Sequence, residues 1–198
     1  MKDLKNMIGS DETIIWEGRP DKKCSICESI FNPLLPFALV WASIDLGILF
    51  GTGIAEVQEA KFFIVPFFLF HLMPVWLYLF GVIFSIKRIK NTQYLITDKG
   101  IYVSGGFINF NYNMKPYAEI SSVTMHQGLF DRWFKAGDVI LGTSTKMNIM
   151  NVKDYERVYK LLKQIQTDVF ADIMYPNALR PDNNPGYTTK IDKDKYKF

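Results

Sequence analysis

The sequence predicts an α+β membrane protein, in which a transmembrane α-helical hairpin is followed by a small β-barrel that a C-terminal helix caps. Two observations predict this fold class. Two long apolar segments, Leu34–Ile54 and Phe62–Ile86, follow each other in the chain, and a helix needs about 20 apolar residues to cross a bilayer core. After residue 90 the pattern changes to short alternating segments, which are typical of β-strands.

The first element, residues 1–30, is polar and is predicted to be a cytoplasmic N-terminal arm. Thr13-Ile14-Ile15-Trp16 is a β-prone run that Glu17-Gly18-Arg19-Pro20 breaks. We expect a strand here that packs on the cytoplasmic domain. Cys24 and Cys27 form a lone Cys-x-x-Cys pair without a second pair to complete a zinc site, so we interpret them as reduced thiols and predict no metal.

The second element, residues 31–88, is the predicted hairpin with spans 34–54 and 62–86. A cleaved signal peptide is a poor alternative for the first span, because about thirty polar residues precede it. Lysine and arginine flank both outer ends, whereas the connecting loop Ala55–Lys61 holds one lysine and two glutamates. Basic residues favour the cytoplasmic side, so both termini are predicted to be cytoplasmic in a two-span protein of the cell membrane. The flanking residues are Arg19, Lys22 and Lys23 before the hairpin and Lys87, Arg88 and Lys90 after it.

One acidic and one basic residue interrupt the spans. Asp45 lies 13 residues before the loop centre at residue 58, and His71 lies 13 residues after it. A regular hairpin would place them at similar depth, and a charge at the bilayer centre costs about 3 kcal/mol on insertion scales. We predict an intramembrane polar pair. The alternative is that Asp45 is protonated or contacts a partner subunit and that His71 is merely tolerated.

The third element, residues 89–170, is predicted to contain six or seven strands. Gln93–Thr97 and Ile101–Ser104 form a hairpin around Asp98-Lys99-Gly100, and further strands are expected at Phe107–Met114, Ile120–Gln127, Asp138–Ser144 and Met147–Val152. Leu129–Gly137 is predicted to be an aromatic and basic loop. A final helix, with Asn151 as its N-cap, presents one apolar stripe: Tyr155, Val158, Leu162, Ile165 and Val169. Residues 171–198 are predicted to be a flexible tail.

Several segments resemble the bacterial PH-domain family of small membrane proteins. They are Trp16–Pro20, Asn91–Ile101, Glu119–Val123 and Asp131–Val139, and the resemblance covers residues 13–168. It implies a PH-like barrel that acts as a scaffold for peptides, lipids or other subunits, and it implies no reaction or cofactor. Fold alone does not fix function.

Binding of a phosphoinositide by a PH-like barrel needs a basic first hairpin loop. Asp98-Lys99-Gly100 is too short and too neutral for that role, so we expect no specific phosphoinositide. Lys87, Arg88 and Lys90 are candidates for weaker contacts with anionic lipid, although membrane topology alone also explains them. The net charge of +3 gives no reason to expect nucleic acid.

A second candidate surface is an interface for membrane headgroups or for a protein. Its residues are Arg132, Trp133, Phe134 and Lys135. The alternative is that one of its rings fills the barrel interior.

These observations favour a non-enzymatic, membrane-anchored module at the cytoplasmic face that binds a protein partner or self-associates. The alternative is a subunit of a membrane transport or envelope-stress complex in which Asp45 and His71 act within the bilayer. No catalytic residue is predicted, because one carboxylate and one imidazole on two helices cannot enclose a water pathway without oligomerisation.

Overall fold

The computed structural model of the protein describes residues 4–51, 61–143 and 147–174. The chain divides into two compact units. The sheet unit comprises Met1–Ser25 and Lys87–Phe198, and the hairpin unit comprises Ile26–Ile86. The predicted loop between the spans and most of the predicted tail lie outside the described residues.

Two antiparallel sheets form the centre of the sheet unit. The first has the strand order β1 (Ile14–Gly18), β2 (Gln93–Thr97), β3 (Gly100–Gly106) and β4 (Phe110–Pro116). The second has the order β5 (Ser122–His126), β6 (Gly137–Gly142) and β7 (Met147–Val152). No strand ladder joins the two sheets among the described residues, so the sheet unit contains two separate sheets rather than the closed PH-like barrel that we predicted.

The helices are α1 (Lys22–Ile30), α2 (Leu34–Gly51), α3 (Lys61–His71), α4 (Met73–Lys90), α5 (Leu129–Phe134) and α6 (Tyr155–Met174), with short 3₁₀ helices at Leu4–Met7 and Tyr117–Glu119. The predicted loop at 129–137 therefore contains a helix, α5. Lys135 ends it in the left-handed conformation, with φ of 53°. Six residues are too few for a periodic pattern, and this is why the sequence did not reveal the helix.

The predicted apolar stripe of α6 lies against the sheets, chiefly β5 and β6. Val158, Leu162, Ile165 and Val169 are buried in the main core, and Tyr155 packs at its margin. Alternate residues of β6 and β7 enter the same core, as expected for strands with one covered face. The helix extends to Met174, beyond the predicted boundary at residue 170.

The predicted N-cap of this helix is wrong. Asn151 lies in β7, and α6 begins at Tyr155, with the Asp154 carbonyl accepting the first helical hydrogen bond from Val158. Asn151 has a positive φ of 55°, a conformation that asparagine tolerates better than most residues. Its amide group donates to Ser25 Oγ at 2.9 Å, and its carbonyl accepts from the Asp21 N–H. Asn151 therefore fixes the start of α1 on the end of β7.

The N-terminal arm supplies the first strand of the domain. β1 pairs with β2 along its length, from Ile14 opposite Thr97 to Gly18 opposite Tyr94. The first hairpin of the fold is therefore β1–β2, and its connection is the whole segment 19–92, including both apolar segments. Our prediction took Asp98-Lys99-Gly100 as the first hairpin loop, but that turn joins β2 to β3.

Trp16 connects β1 to the core. Its side chain is 8% exposed and belongs to the main core cluster. The indole lies against the backbone of Gly18, so closely that a Cβ atom at residue 18 would overlap the ring. This packing explains the glycine two residues after the tryptophan in Trp16-Glu17-Gly18.

Among the described residues of the hairpin unit, one helix is long and apolar enough to cross a membrane, Leu34–Gly51. Only 11% of this helix is buried, whereas a core helix of a soluble protein would be mostly covered. Phe62–His71 and Met73–Lys90 would make a second crossing if they form one span, but they are bent by 53°. We had predicted one continuous helix. Pro74 explains the break, because proline lacks an N–H and clashes with the carbonyl four residues earlier.

Replacing Trp16 by alanine is expected to lower the free energy of unfolding of the sheet unit by about 3–5 kcal/mol, the usual cost of truncating a buried tryptophan. The control is Ile14→Ala on the same strand, where a 41% exposed side chain should cost below about 1 kcal/mol. Denaturant unfolding of the full chain in detergent, followed by near-ultraviolet circular dichroism, measures both. Equal losses would mean that β1 is not part of the cooperative unit.

Candidate functional site

The structure brings together the two polar residues of the apolar segments. Asp45 Oδ1 on α2 lies 2.7 Å from His71 Nδ1 at the end of α3. Asp45 is 2% exposed, whereas the His71 side chain is about one-third exposed. The two helices therefore hold a buried carboxylate in hydrogen-bond contact with an imidazole.

Aromatic side chains surround His71. The ring of Phe67 stacks on the imidazole with centroids 5.1 Å apart, and Trp41 lies at the same distance from it. The Trp41 indole N–H also donates to the His71 carbonyl at 2.7 Å. That carbonyl lies at the helix break, where Val75 donates to Leu72 instead, so Trp41 satisfies a backbone group that the break leaves without its helical partner.

The pair leaves one polar atom without a partner. Asp45 Oδ2 is buried and has no hydrogen bond among the residues that the structure describes. A buried oxygen of this kind costs roughly 1–3 kcal/mol. The described part of the chain brings no nucleophile or second acid to the pair.

The second candidate site lies on α5. Trp133 is 73% exposed and Leu129 is 67% exposed; Arg132 and Lys135 are also exposed, and Phe134 is half-buried. Trp133 therefore does not fill the domain interior, which was the alternative that the sequence left open. We call the exposed group Leu129, Arg132, Trp133 and Lys135 the α5 face.

Asp131 anchors α5 through two hydrogen bonds. It is buried, its Oδ2 accepts the Gly128 N–H at 2.8 Å, and its Oδ1 accepts the Cys24 thiol at 3.3 Å. Cys24 lies at the start of α1, and its thiol is fully buried and forms no disulfide. Cys24 was predicted to be simply a reduced thiol, and its hydrogen bond to Asp131 links the arm to α5.

A cavity of about 560 Å³ adjoins the α5 face, and we call it the α5 cavity. Four basic residues line it together with two acidic ones, so basic residues exceed acidic ones by two. Arg132 lies in α5 and Lys135 directly follows it, whereas Lys153 precedes α6 and Arg157 lies in its first turn; the sequence pattern predicted no role for these last two. The lining residues are Gln127, Arg132, Lys135, Lys153, Asp154, Tyr155, Glu156 and Arg157.

A second cavity of about 490 Å³, the arm cavity, shares Lys153 and Asp154 with the first. It is otherwise lined by residues 16–23 and Val152. Lys153 Nζ lies 3.3 Å from Asp21 Oδ2 in this cavity. Burial raises the pKa of Asp21, but the Cys24 N–H and the Lys153 ammonium group outweigh it, and the pKa lies below its ordinary value.

The basic residues that follow the second apolar segment are all exposed. The Lys87 ammonium lies 4.6 Å from the centroid of the Phe107 ring, on the β3–β4 turn. Lys87, Arg88 and Lys90 therefore project at the surface of the sheet unit, where they are available to an anionic partner.

Two groups of described residues have the chemistry of a metal site, and one of them lies wholly within the sheet unit. In that group His126, Asp131 and Asp138 place their ligand atoms within 4.8 Å of one another. Burial raises the pKa of Asp138, and nearby Asp131 raises it further, although the Asn151 N–H opposes both. Backbone N–H groups already bond both carboxylates, at 2.7 and 2.8 Å, so hydrogen bonding accounts for the cluster without a metal ion.

Comparison with known proteins gives one match. Residues 51–166 match the family model of the bacterial PH domain. The matched range includes the second apolar segment and extends from β2 into α6; β1 and α2, apart from Gly51, lie before it. Searches of curated proteins and of solved structures found no match.

Removing both members of the Asp45–His71 pair is expected to cost less than the sum of the single changes to alanine. The expected coupling is roughly 0.6–1.7 kcal/mol, as for hydrogen bonds between membrane helices. Unfolding of the full chain by a denaturing detergent measures the double-mutant cycle. Ser43 is the control partner, because its hydroxyl donates to the Leu39 carbonyl on its own helix. Equal coupling of Asp45 to Ser43 and to His71 would contradict a specific pair.

Proposed function

Because this chain belongs to the bacterial PH-domain family, we propose that it is a non-enzymatic interaction module held at the cytoplasmic face of the membrane by a two-span hairpin. The PH-like domain is the part that meets a partner, which is a protein or a second copy of this chain. The pairing of β1 with β2 on either side of the apolar insertion is the observation that carries the proposal.

The strand pairing limits the number of crossings. Gly18 and Tyr94 are opposite each other in one sheet, yet both apolar segments lie between them in the chain. Two paired strands must be on the same side of a bilayer, so the insertion crosses it an even number of times. This supports two spans, with the bent helices 62–90 forming one of them. It also argues against a cleaved signal sequence, since cleavage after α2 would remove β1 from its sheet.

The surface of the hairpin unit supports a lipid environment. Large apolar side chains are exposed along all three of its helices, among them Phe50, Phe62, Phe63 and Phe70. Soluble proteins rarely expose continuous apolar surface of this kind. Basic residues flank the outer ends of the insertion, at Arg19–Lys23 and Lys87–Lys90, and this supports a cytoplasmic location for the domain.

The first sheet offers an edge for a partner. β4 pairs only with β3 among the described residues, so its other side presents backbone groups that an added strand could bond. Exposed Phe110 and Met114 lie on the same strand. This edge supports binding of a protein segment or of the same strand from a second copy.

The alternative, a transport or envelope-stress subunit, is favoured by one observation: a buried carboxylate with an unsatisfied oxygen is costly and therefore indicates a role. Asp45→Asn distinguishes the two proposals, since it keeps the shape and removes the charge. If the protein is an anchored module, the Asp45→Asn variant retains its cellular function and deletion of the PH-like domain abolishes it. If the protein works by intramembrane chemistry, Asp45→Asn abolishes the function and deletion of the domain does not.

The proposed topology predicts that the loop and the domain are labelled from opposite sides. In a Cys24→Ser, Cys27→Ala background, Gln58→Cys should react with an impermeant maleimide in intact cells. Lys160→Cys, on the exposed face of α6, should react only after permeabilisation. Serine is used at residue 24 because its hydroxyl can still donate to Asp131. Labelling of both positions from the same side would exclude the two-span hairpin.

Partner binding at the β4 edge predicts a site-specific crosslink. A photo-crosslinking amino acid at Phe110 should form a discrete adduct in native membranes, whereas one at Phe170, an exposed position on α6, should not. An adduct of twice the chain mass that also forms with the purified protein indicates self-association. An adduct seen only in membranes indicates a different protein. No adduct from Phe110 would contradict the use of this edge.

A further inference from the structure

We infer that the α5 face and the α5 cavity bind the phosphate groups of an anionic phospholipid surface. This inference rests on the proposed anchoring in a bilayer, and it adds a ligand class for a surface that the proposed function does not use. The surface is distinct from the turn that joins β2 to β3 and from the β4 edge.

The apolar part of the α5 face suits the interfacial region of a membrane. Trp133 and Leu129 are the most exposed large apolar residues of α5. Tryptophan is enriched where one end of its ring system meets lipid and the other meets water. Phe130 supports the indole from behind, with ring centroids 6.1 Å apart. The indole is therefore presented outward and is buttressed on the protein side.

The α5 cavity supplies charge beside this apolar pair. Arg132 and Lys135 lie on the α5 face itself, and Lys153 and Arg157 lie across the cavity. The first turn of α6, a twenty-residue helix, adds the partial positive charge of its N-terminus to the same space. Arginine and lysine beside a helix N-terminus suit a phosphate group. Three acidic residues oppose this charge, namely Asp154 and Glu156 in the cavity and Asp21, which lies 3.3 Å from Lys153. They reduce but do not cancel the positive charge of the four basic residues.

The course of the chain favours a membrane, rather than an acidic protein, as the anionic ligand of this surface. The arm cavity continues the basic surface from Lys153 to Arg19, Lys22 and Lys23. Lys23 lies eleven residues before Leu34, where the first apolar segment begins. Cys24, the next residue, bonds to α5 through Asp131. The α5 face is thus tied to the stretch of chain that leads directly into the proposed span.

The test uses the full chain in nanodiscs of neutral phosphatidylcholine, with or without anionic phosphatidylglycerol. Amide hydrogen exchange over residues 128–136 should be at least about fivefold slower with the anionic lipid, because even one basic side chain near an anionic surface contributes roughly that factor in binding. High salt should abolish the difference, since the screening length falls to about 3 Å at 1 M.

The decisive variant is Arg132→Gln with Lys135→Asn. Asparagine is chosen because residue 135 has a positive φ, which asparagine tolerates. This variant and Trp133→Ala should each reduce the protection at least twofold. The control is Lys160→Gln with Lys163→Gln, which removes the same charge from exposed positions outside the cavity and should leave the protection unchanged.

Three results would overturn the inference. Equal exchange in neutral and anionic nanodiscs excludes a lipid ligand. Equal protection by inorganic phosphate in neutral nanodiscs assigns the cavity to a soluble phosphate compound. Protection that appears only in native membranes, and is absent with the purified protein, assigns the surface to an acidic protein. A chain that fails to enter nanodiscs contradicts the proposed anchoring instead, so the two failures are distinguishable.

Discussion

The antiparallel pairing of β1 with β2 is the constraint on which the rest of the structure depends. It joins two strands that are separated by the entire apolar insertion, and it makes the N-terminal arm part of the PH-like domain. Trp16 reaches the main core because β1 belongs to the sheet. The start of α1 is fixed by Asn151 and Asp131 for the same reason, since the chain leaves β1 only a few residues earlier. The ends of the insertion are therefore fixed by the sheet that they interrupt.

Much of the fold was predictable, because its signals are local. The apolar run at 34–51, the alternation at 93–104 and the helical stripe from Tyr155 to Val169 are each contained in one short window, and the structure has the corresponding elements. Pro74 also stands in the sequence. The prediction of the second span considered only its apolar composition, however, and therefore missed the break in the helix. The predicted number of strands was also close to the observed number, because turn residues separate the strands clearly in the sequence.

The features that the sequence did not reveal depend on contacts between distant residues. Asn151 has the chemistry of an N-cap, yet it bonds to Ser25 and Asp21, far earlier in the chain. The first hairpin was misassigned because β1 and β2 are too far apart for a hairpin pattern. The α5 cavity combines Gln127, which follows β5, with residues at α5 and around the start of α6, so no single motif contains it. The Asp45–His71 contact is an exception among these distant contacts. It was predicted because the two residues lie equally far from the loop centre in the sequence, and a regular hairpin places such residues at similar depth.

The insertion of the apolar segments between β1 and β2 also has a consequence for biosynthesis. β1 leaves the ribosome first, and its partner strand is made only after residues 19–92 have been synthesised. The sheet is thus a contact of high sequence separation, which folds slowly when the intervening chain is free. If the intervening chain is inserted as a hairpin, its ends return to the same side and the search is shortened. The PH-like domain could then be completed only after both segments have been inserted. In a chain with only one inserted segment, β1 would lack its partner strand and the core would be accessible to proteases.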